Sequence, residues 1–357
     1  MSIKSYLLEK LSKVLFLEIK KGSKINNFTF KENTYLPVRS EAIVEKTKSG
    51  DNLKDIPINL FLEGMFYVLG TDKDFKFNNI YKDLIKDIPD SLKLIKSIIF
   101  KEIKEERYEE AYILIKGLIV IESTKDNYSK ALLLVDEIRK KNSVFKEEEL
   151  NLIEEGKSIS EFPIPYLYEA GIKRDDKDME GALFSINQYL ALGGEKTDDV
   201  IEFKASLDMI TSYDKAKTMV YESPKEALEI LLPLLEELGD NAEIYYYIAI
   251  AYRILENYEK AIYYLNDSLA ISSDYVEVIN ELGINYACLG EYETAIKYFR
   301  TAFEVTKSIE ICTNLIMCYL NIGDNKQAKI HFDIAKKLDP NDEVLKDIEK
   351  IIKWLKF

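Results

Sequence analysis

"NYEKAIYYLNDSLA", residues Asn257–Ala270, and "EYETAIKYFRTAFE", residues Glu291–Glu304, lie 34 residues apart and share Tyr-x-x-Ala-Ile with the same apolar rhythm. Their polar residues hardly agree. A chain that repeats sizes while its chemistry drifts is repeating a packing problem. Aligned on the alanine, further copies emerge. Ala227 in "SPKEALEILLPLL" stands 34 residues before Ala261, Ala295 follows at 34, and Ala328 in "DNKQAKIHFDIA" at 33. Weaker echoes centre on Ala111, Ala131 and Ala182, with irregular spacings of 20, 51 and 45 residues down to Ala227.

A period of this length holds two helices of roughly 13 residues and two short turns. In "IYYYIAIAYRIL" and "KAIYYLNDSLAI" apolar residues recur at three- and four-residue steps, as one buried helix face requires. Asp240/Glu243, Asp274/Glu277 and Ser223/Glu226 have capping-box spacing, and Pro224 suits a first helical position. Antiparallel helices approach closely only where small residues meet, which accounts for Ala249, Ala261, Gly283, Ala295, Ala302 and Ala335. Tyr252, Tyr286 and Tyr319, with Leu265, Phe299 and Phe332, are the large residues that fill the gap to the next unit.

Ile279-x-x-Leu282-Gly283-x-x-Tyr286 followed by Ala295-x-x-x-Phe299 resembles the motif of the tetratricopeptide repeat (TPR) family, which carries Trp at the first position. The next unit keeps Leu315, Tyr319, Ala328, Phe332 and Pro340, with Ile316 replacing a small residue. The unit at 242–275 keeps Ala249, Tyr252 and Ala261, with Ser268 where Ala is usual. The resemblance covers 242–341, extends loosely to 205, and leaves only traces over 90–205. It implies a mainly α fold, an α-solenoid of antiparallel helix pairs. The organisation expected is an N-terminal module over 1–88, degenerate helical repeats over 89–205, TPR-like repeats over 206–341 and a capping helix over 342–357. That last helix, "NDEVLKDIEKIIKWLKF", places Val344, Leu345, Ile348, Ile351, Ile352 and Leu355 on one side, with Trp354 packed there.

The first module follows no period. Alternation in "NNFTFKENTYLPV" (Asn26–Val38) predicts one or two short strands, with Pro37 at an edge or end. "IPINLFLEGMFYVLG" predicts a short, largely buried helix between Pro57 and Gly70, with Gly64 serving packing. A further helix breaks at Pro89.

The 357 residues are 47% hydrophobic, ample for a core, and carry a formal charge of −14. Residues 1–90 hold 15 basic and 13 acidic groups, so the acidity belongs to the rest of the chain. That balance argues against nucleic acid or an anionic membrane as the main partner. The 24 tyrosines read as fillers between helices rather than a base-stacking surface. Cys288, Cys312 and Cys318 fall in apolar helical patterns and read as reduced packing thiols of a cytoplasmic protein. The longest apolar run of the N-terminal stretch, Val14–Leu17, is too short for a signal or a membrane span, and no membrane insertion is expected.

Catalytic patterns are scarce. His331 is the sole histidine, and there is no phosphate-loop motif, G-x-G-x-x-G or C-x-x-C. A non-enzymatic chain with no cofactor and no metal is expected. Arg39, Glu41 and Glu63 are the candidates for chemistry in the first 90 residues.

The TPR resemblance implies a concave groove lined by the first helix of each repeat. Its positions here are Glu243, Tyr246, Tyr247, Ile250 and Arg253 in one unit, and Glu277, Asn280, Glu281, Ile284 and Ala287 in the next. The third supplies Glu310, Thr313, Asn314, Met317 and Leu320. Within each unit they fall three or four apart, on one helical face. Amides suit a peptide backbone, the glutamates a basic segment, and Tyr246, Ile250, Ile284 and Met317 apolar anchors. With Arg253 the only basic groove residue, an acidic C-terminal tail does not fit. The function implied is an adaptor that binds a basic, apolar segment of another protein in this groove. The alternative is a peptide-responsive regulatory sensor with the N-terminal module as output, although no helix-turn-helix is evident in 1–88.

Overall fold

The computed structural model describes residues 2–41, 43–44 and 56–354, the side chains of 353 and 354 excepted. The chain divides into two compact units, residues 1–204 and 205–357. The first opens with α1 (Ile3–Lys10), β1 (Val14–Ile19), β2 (Lys24–Ile25), β3 (Phe28–Thr29) and β4 (Thr34–Arg39). Helices follow: α2 (Ile58–Thr71), α3 (Asn78–Asp87), α4 (Ser91–Lys104), α5 (Tyr108–Ile121) and α6 (Lys125–Lys141). Then come α7 (Lys146–Lys157), α8 (Ile164–Asp175), α9 (Met179–Ala191) and α10 (Asp198–Met219), which crosses the division.

β1 and β4 pair antiparallel, with Leu17 opposite Leu36, and β2 and β3 make a short separate hairpin. β1 has no counterpart in the sequence reading. Its apolar residues sit on both faces, Val14 buried but Leu15 and Leu17 exposed, so the alternation that marks a strand is blurred. Pro37 lies within β4 opposite Phe16. It is tolerated there because a two-stranded sheet consists only of edge strands.

α2 is buried along most of its length, and glycine is the reason it fits. A Cβ on Gly64 would stand 2.2 Å from the carbonyl oxygen of Pro37, so this residue gives a close backbone approach beyond simple packing. Gly70 on α2 and Gly117 on α5 do the same for the α2–α5 crossing. The core runs from Ile3 to Ile172 in one cluster, so residues 1–88 share it with α4 to α8.

Arg139 joins three helices of this unit. It bonds Asp136 on α6 at 2.7 Å, Glu149 on α7 at 2.6 Å and Asp175 on α8 at 2.9 Å. Glu149 is fully buried and its Oε1 finds no hydrogen-bond partner among the described residues. Burial pushes its carboxyl up from 4.5 to about 7, against the pull of Arg139. A carboxyl whose pKa is higher folded than unfolded favours the fold less as pH rises from about 4.5 through about 7. Glu149→Gln is therefore expected to flatten the fall in stability across that window. Urea unfolding of both proteins at pH 5 and pH 8 checks it, and parallel slopes would contradict it.

The helix pairs share a turn that sequence alone conceals. Glu106 between α4 and α5, and Lys177 between α8 and α9, adopt positive φ of 58° and 65°. The next amide donates five residues back, Arg107 to Glu102 and Asp178 to Lys173, each at 2.9 Å. This is the Schellman arrangement that ends a helix. It recurs in the second unit at Glu256, Gly290 and Gly323, spaced by the repeat itself. Only the last two are glycine. Since a left-handed residue with a Cβ is strained, Glu256→Gly is expected to stabilise by about 0.5–1 kcal/mol, partly offset by unfolded-state entropy. Urea unfolding measures it, and a loss of stability would contradict it.

The second unit continues with α11 (Pro224–Leu238), α12 (Ala242–Ile254), α13 (Tyr258–Ile271), α14 (Val276–Cys288) and α15 (Tyr292–Thr306). It ends with α16 (Ile309–Asn321), α17 (Asn325–Leu338) and α18 (Glu343–Trp354). α12 packs on α13, α14 on α15 and α16 on α17, and each pair meets the next through α13–α14 and α15–α16. These are tandem antiparallel pairs, a TPR-like solenoid architecture. Ala261, Ala295 and Ala328 are fully buried at the crossings, and a Cβ on Gly283 would meet the Phe299 ring at 2.7 Å. Ser268 replaces the alanine of its neighbours without leaving a bare hydroxyl, since it donates to the Ala242 carbonyl at 2.7 Å.

Ring pairs link the two helices of each unit: Tyr252 stacks on Tyr264 and Tyr286 on Tyr298, each at 5.5 Å, while Tyr319 meets His331 tilted, at 5.1 Å. His331 therefore stands where the two preceding repeats place tyrosine. Its Nδ1 lies 2.9 Å from the Gln327 carbonyl.

Three sequence expectations are corrected. Asn241, not Asp240, caps α12, accepting from the amides of Glu243 and Ile244; Tyr275 stands at the α14 cap, and Ser223 makes no side-chain cap bond. Side-chain caps also stand on two second helices, where Asn257 and Asp324 accept from the amides of Lys260 and Gln327. On α18, Leu345, Ile348 and Ile352 are buried while Val344 and Ile351 are exposed, because the apolar stripe is narrower than the sequence suggests. The Trp354 side chain and Leu355 lie outside the described residues. Finally, Cys312 and Cys318 are buried, with thiols pushed up to about 11 by burial, whereas Cys288 near the end of α14 is exposed.

Candidate interaction groove

The residues singled out for chemistry in the first unit do come together. Arg39, at the end of β4, has Nη1 2.9 Å from Glu63 on α2 and Nη2 2.9 Å from Glu41. Glu110 on α5 lies 3.2 Å away and Glu102 on α4 3.7 Å, while the Tyr67 ring stands 5.1 Å from the guanidinium carbon. Lys10 adds a 2.5 Å bond to Glu109 and a 3.7 Å contact to Glu110. Burial raises the Glu63 carboxyl and Arg39 pulls it back. The cluster ties β4 to three helices in a buried place. That is the geometry of a clamp, with the guanidinium occupied by carboxylates on several sides.

In the second unit the first helices α12, α14 and α16 carry a row of recesses. Around the start of α12 the recess is lined by Asp240, Asn241, Glu243 and Tyr275. At the starts of α14 and α16 it is lined by Asp274, Glu277, Asn280, Ser308 and Glu310. Further along the same two helices lies a more apolar one, lined by Ile284, Ala287, Cys288, Asn314, Met317 and Cys318, with Tyr292, Phe299 and Asn321.

The predicted groove residues divide by exposure. Glu277, Glu310 and Met317 are exposed, and Tyr246, Tyr247, Arg253, Asn280, Ile284, Ala287, Asn314 and Leu320 are half-buried. Glu243 is half-buried and held by Lys217 at 2.8 Å, whose ammonium also lies over the rings of Tyr213 and Tyr247. Ile250 at 1%, Glu281 at 8% and Thr313 at 5% exposure are buried, so the expectation that these three face the groove is corrected.

The physical reasons differ. Ile250 joins the core around α11 and α12. Glu281 is drawn in by Arg253, whose Nε donates to it at 2.7 Å, and burial raises its carboxyl against that pull. Thr313 turns its hydroxyl onto the Glu310 carbonyl at 2.8 Å. Asn285, one turn beyond Glu281, is buried as well and donates to the Glu281 carbonyl at 2.8 Å. The sequence reading missed Cys288 and Asn321, although each lies seven residues beyond a named groove position, on the same helical stripe. It also missed Ser272, Asp274, Tyr275, Thr306 and Ser308, which belong to the turns and helix ends between repeats.

Among the described residues no group of three or more His, Cys, Asp or Glu is placed to hold a metal ion. None of the helices described is long and apolar enough to cross a membrane.

No protein-family model matches the chain, and no curated protein does. Among solved structures it is similar to MamA, at 22% identity, covering 50% of this chain and 92% of that one with a TM-score of 0.37. It is similar to YrrB, described as a TPR protein with an unusual peptide-binding site, at 20% identity over 56% of this chain and 96% of that one, TM-score 0.37. PilW, a type IV pilus biogenesis factor, stands at 16% identity over 63% and 97%, with the same TM-score of 0.37. Likeness at this level carries no argument about partner or activity.

Proposed function

We propose that the chain is a non-enzymatic interaction protein whose second unit binds a segment of a partner protein along α12, α14 and α16. The observation that carries this reading is the pair of neighbouring recesses shared by α14 and α16, one rimmed by carboxylates and one apolar. Exposed Met317 and half-buried Ile284 are apolar groups left toward solvent, and Asn280 and Asn314 stand on the same stripe with amide donors and acceptors. Glu281 and Arg253 serve each other, so recognition falls to Glu277, Glu310, the amides and the apolar pair.

Met317→Asp tests the reading with little cost to the fold, because Met317 is 37% exposed. A partner recovered with the wild-type protein is expected to be lost with this variant, while circular dichroism stays unchanged. Retention of the partner by Met317→Asp and by Asn314→Ala alike would place recognition on another surface.

A further inference from the structure

The apolar recess between α14 and α16 has a volume of about 240 Å³, room for one large side chain. Its lining is soft: Met317 and Cys318 contribute sulfur, and Ile284 and the Phe299 ring contribute carbon. The unbranched, polarizable Met317 side chain adapts to an anchor of variable shape. The carboxylate-rimmed recess lies on the same two helices, and none of the side chains lining it is basic. Glu277 precedes Ile284 by seven residues and Glu310 precedes Met317 by seven, so each pair shares a helix face. Two turns of helix correspond to a separation of about 10 Å. An extended chain covers that distance in about three residues.

We propose that the partner segment is recognised by an apolar side chain seated between Ile284 and Met317 and by a lysine or arginine about three residues away that meets Glu277 and Glu310. This inference rests on the groove reading above and adds the chemistry and spacing of the ligand. Charge complementarity selects the occupant: a recess lined by Asp274, Glu277 and Glu310, with Lys307 of the same turn placed over the Phe303 ring, repels an acidic segment and attracts a basic one. Asn280 and Asn314 lie between the two anchor points, where they can bond the segment's backbone.

The probes are fluorescein-labelled decapeptides of Ser, Gly and Ala. Each carries one leucine and an Arg-Arg pair, set about three or about six residues from the leucine in either direction. Affinity is read by anisotropy with the full chain. Alkylation of Cys288 by iodoacetamide gives a second reading, since Cys288 is exposed while Cys312 and Cys318 are buried. The shorter spacing is expected to bind about tenfold tighter than the longer one or than a leucine-free peptide, and to slow alkylation of Cys288. Met317→Asp should abolish that preference. Glu277→Lys with Glu310→Lys should remove the salt dependence.

Equal binding at both spacings, equal binding without leucine, or no binding of any peptide would overturn the proposal. If no peptide binds but capture of the native partner still depends on Met317, this inference falls and the groove reading stands. If capture is also indifferent to Met317, both fall.

Discussion

Arg39→Met is expected to destabilise the first unit by about 3–5 kcal/mol, the usual consequence of stranding buried charge. The guanidinium touches Glu63, Glu110, Glu41 and Glu102, and removing it leaves carboxylates of β4's surroundings, α2, α4 and α5 facing one another without it. Lys10 and Arg107 reach part of the cluster but do not replace it, since Lys10 serves Glu109 and Glu110 and Arg107 serves Glu102 and Glu105. The loss should shrink as pH falls and Glu63, whose carboxyl is raised by burial, takes up a proton. Arg39→Lys should recover only part of the stability, because an ammonium cannot bond several carboxylates with a planar fork. Hydrogen exchange in α2, α4 and α5 locates the effect. A loss under about 1 kcal/mol would show the cluster to be no more than a surface ion-pair network.

A comparable loss is expected for Gly117→Ala and Gly70→Ala. A Cβ on Gly70 would stand 1.9 Å from the Ile113 carbonyl oxygen, and one on Gly117 2.0 Å from that of Phe66. Both obstacles are backbone, so α2 and α5 would have to separate rather than a side chain turn aside. Overpacking of this kind costs about 1–3 kcal/mol, and these sites should fall at or above the upper end. Gly171→Ala in α8 is the control. Nothing lies within 4 Å of its added Cβ, and the helix should gain about 0.5–1 kcal/mol from the alanine. Thermal unfolding of the three variants should put Gly171→Ala above wild type and the other two well below it. Equal effects at all three would mean that intrinsic helix preference, not the close crossing, governs the glycines.

The second unit was legible because its packing residues recur at 33- and 34-residue steps. Size is the quantity conserved by close packing, so Ala261, Ala295 and Ala328 declare themselves. Ser268 holds the place of an alanine, and His331 that of Tyr264 and Tyr298. The first unit was less legible. Glu106 and Lys177 occupy left-handed turns that glycine announces at Gly290 and Gly323, so the turns joining α4 to α5 and α8 to α9 lack that flag and only the echoes at Ala111 and Ala182 remain. β1 hid for a similar reason, having apolar residues on both faces.

The groove shows the opposite failure. Spacing placed Ile250, Glu281 and Thr313 on one stripe with residues that are exposed, but spacing does not tell how far a stripe turns inward. A partner such as Arg253, 28 positions away from Glu281, decides that, and no local pattern reveals it. Arg39, Glu41 and Glu63 were named as candidates for chemistry with no geometry to join them. What brings them together is the arrangement of β4 and α2, completed by Glu102 and Glu110 from helices that the sequence did not connect with them.

The proposed recognition face is formed by α12, α14 and α16. The decisive measurement is hydrogen exchange of the full chain with and without its captured partner. Protection confined to these three helices and the turns before α14 and α16 is the predicted result. Unchanged exchange there, with protection in residues 1–204 or on α13, α15 and α17 instead, would contradict it.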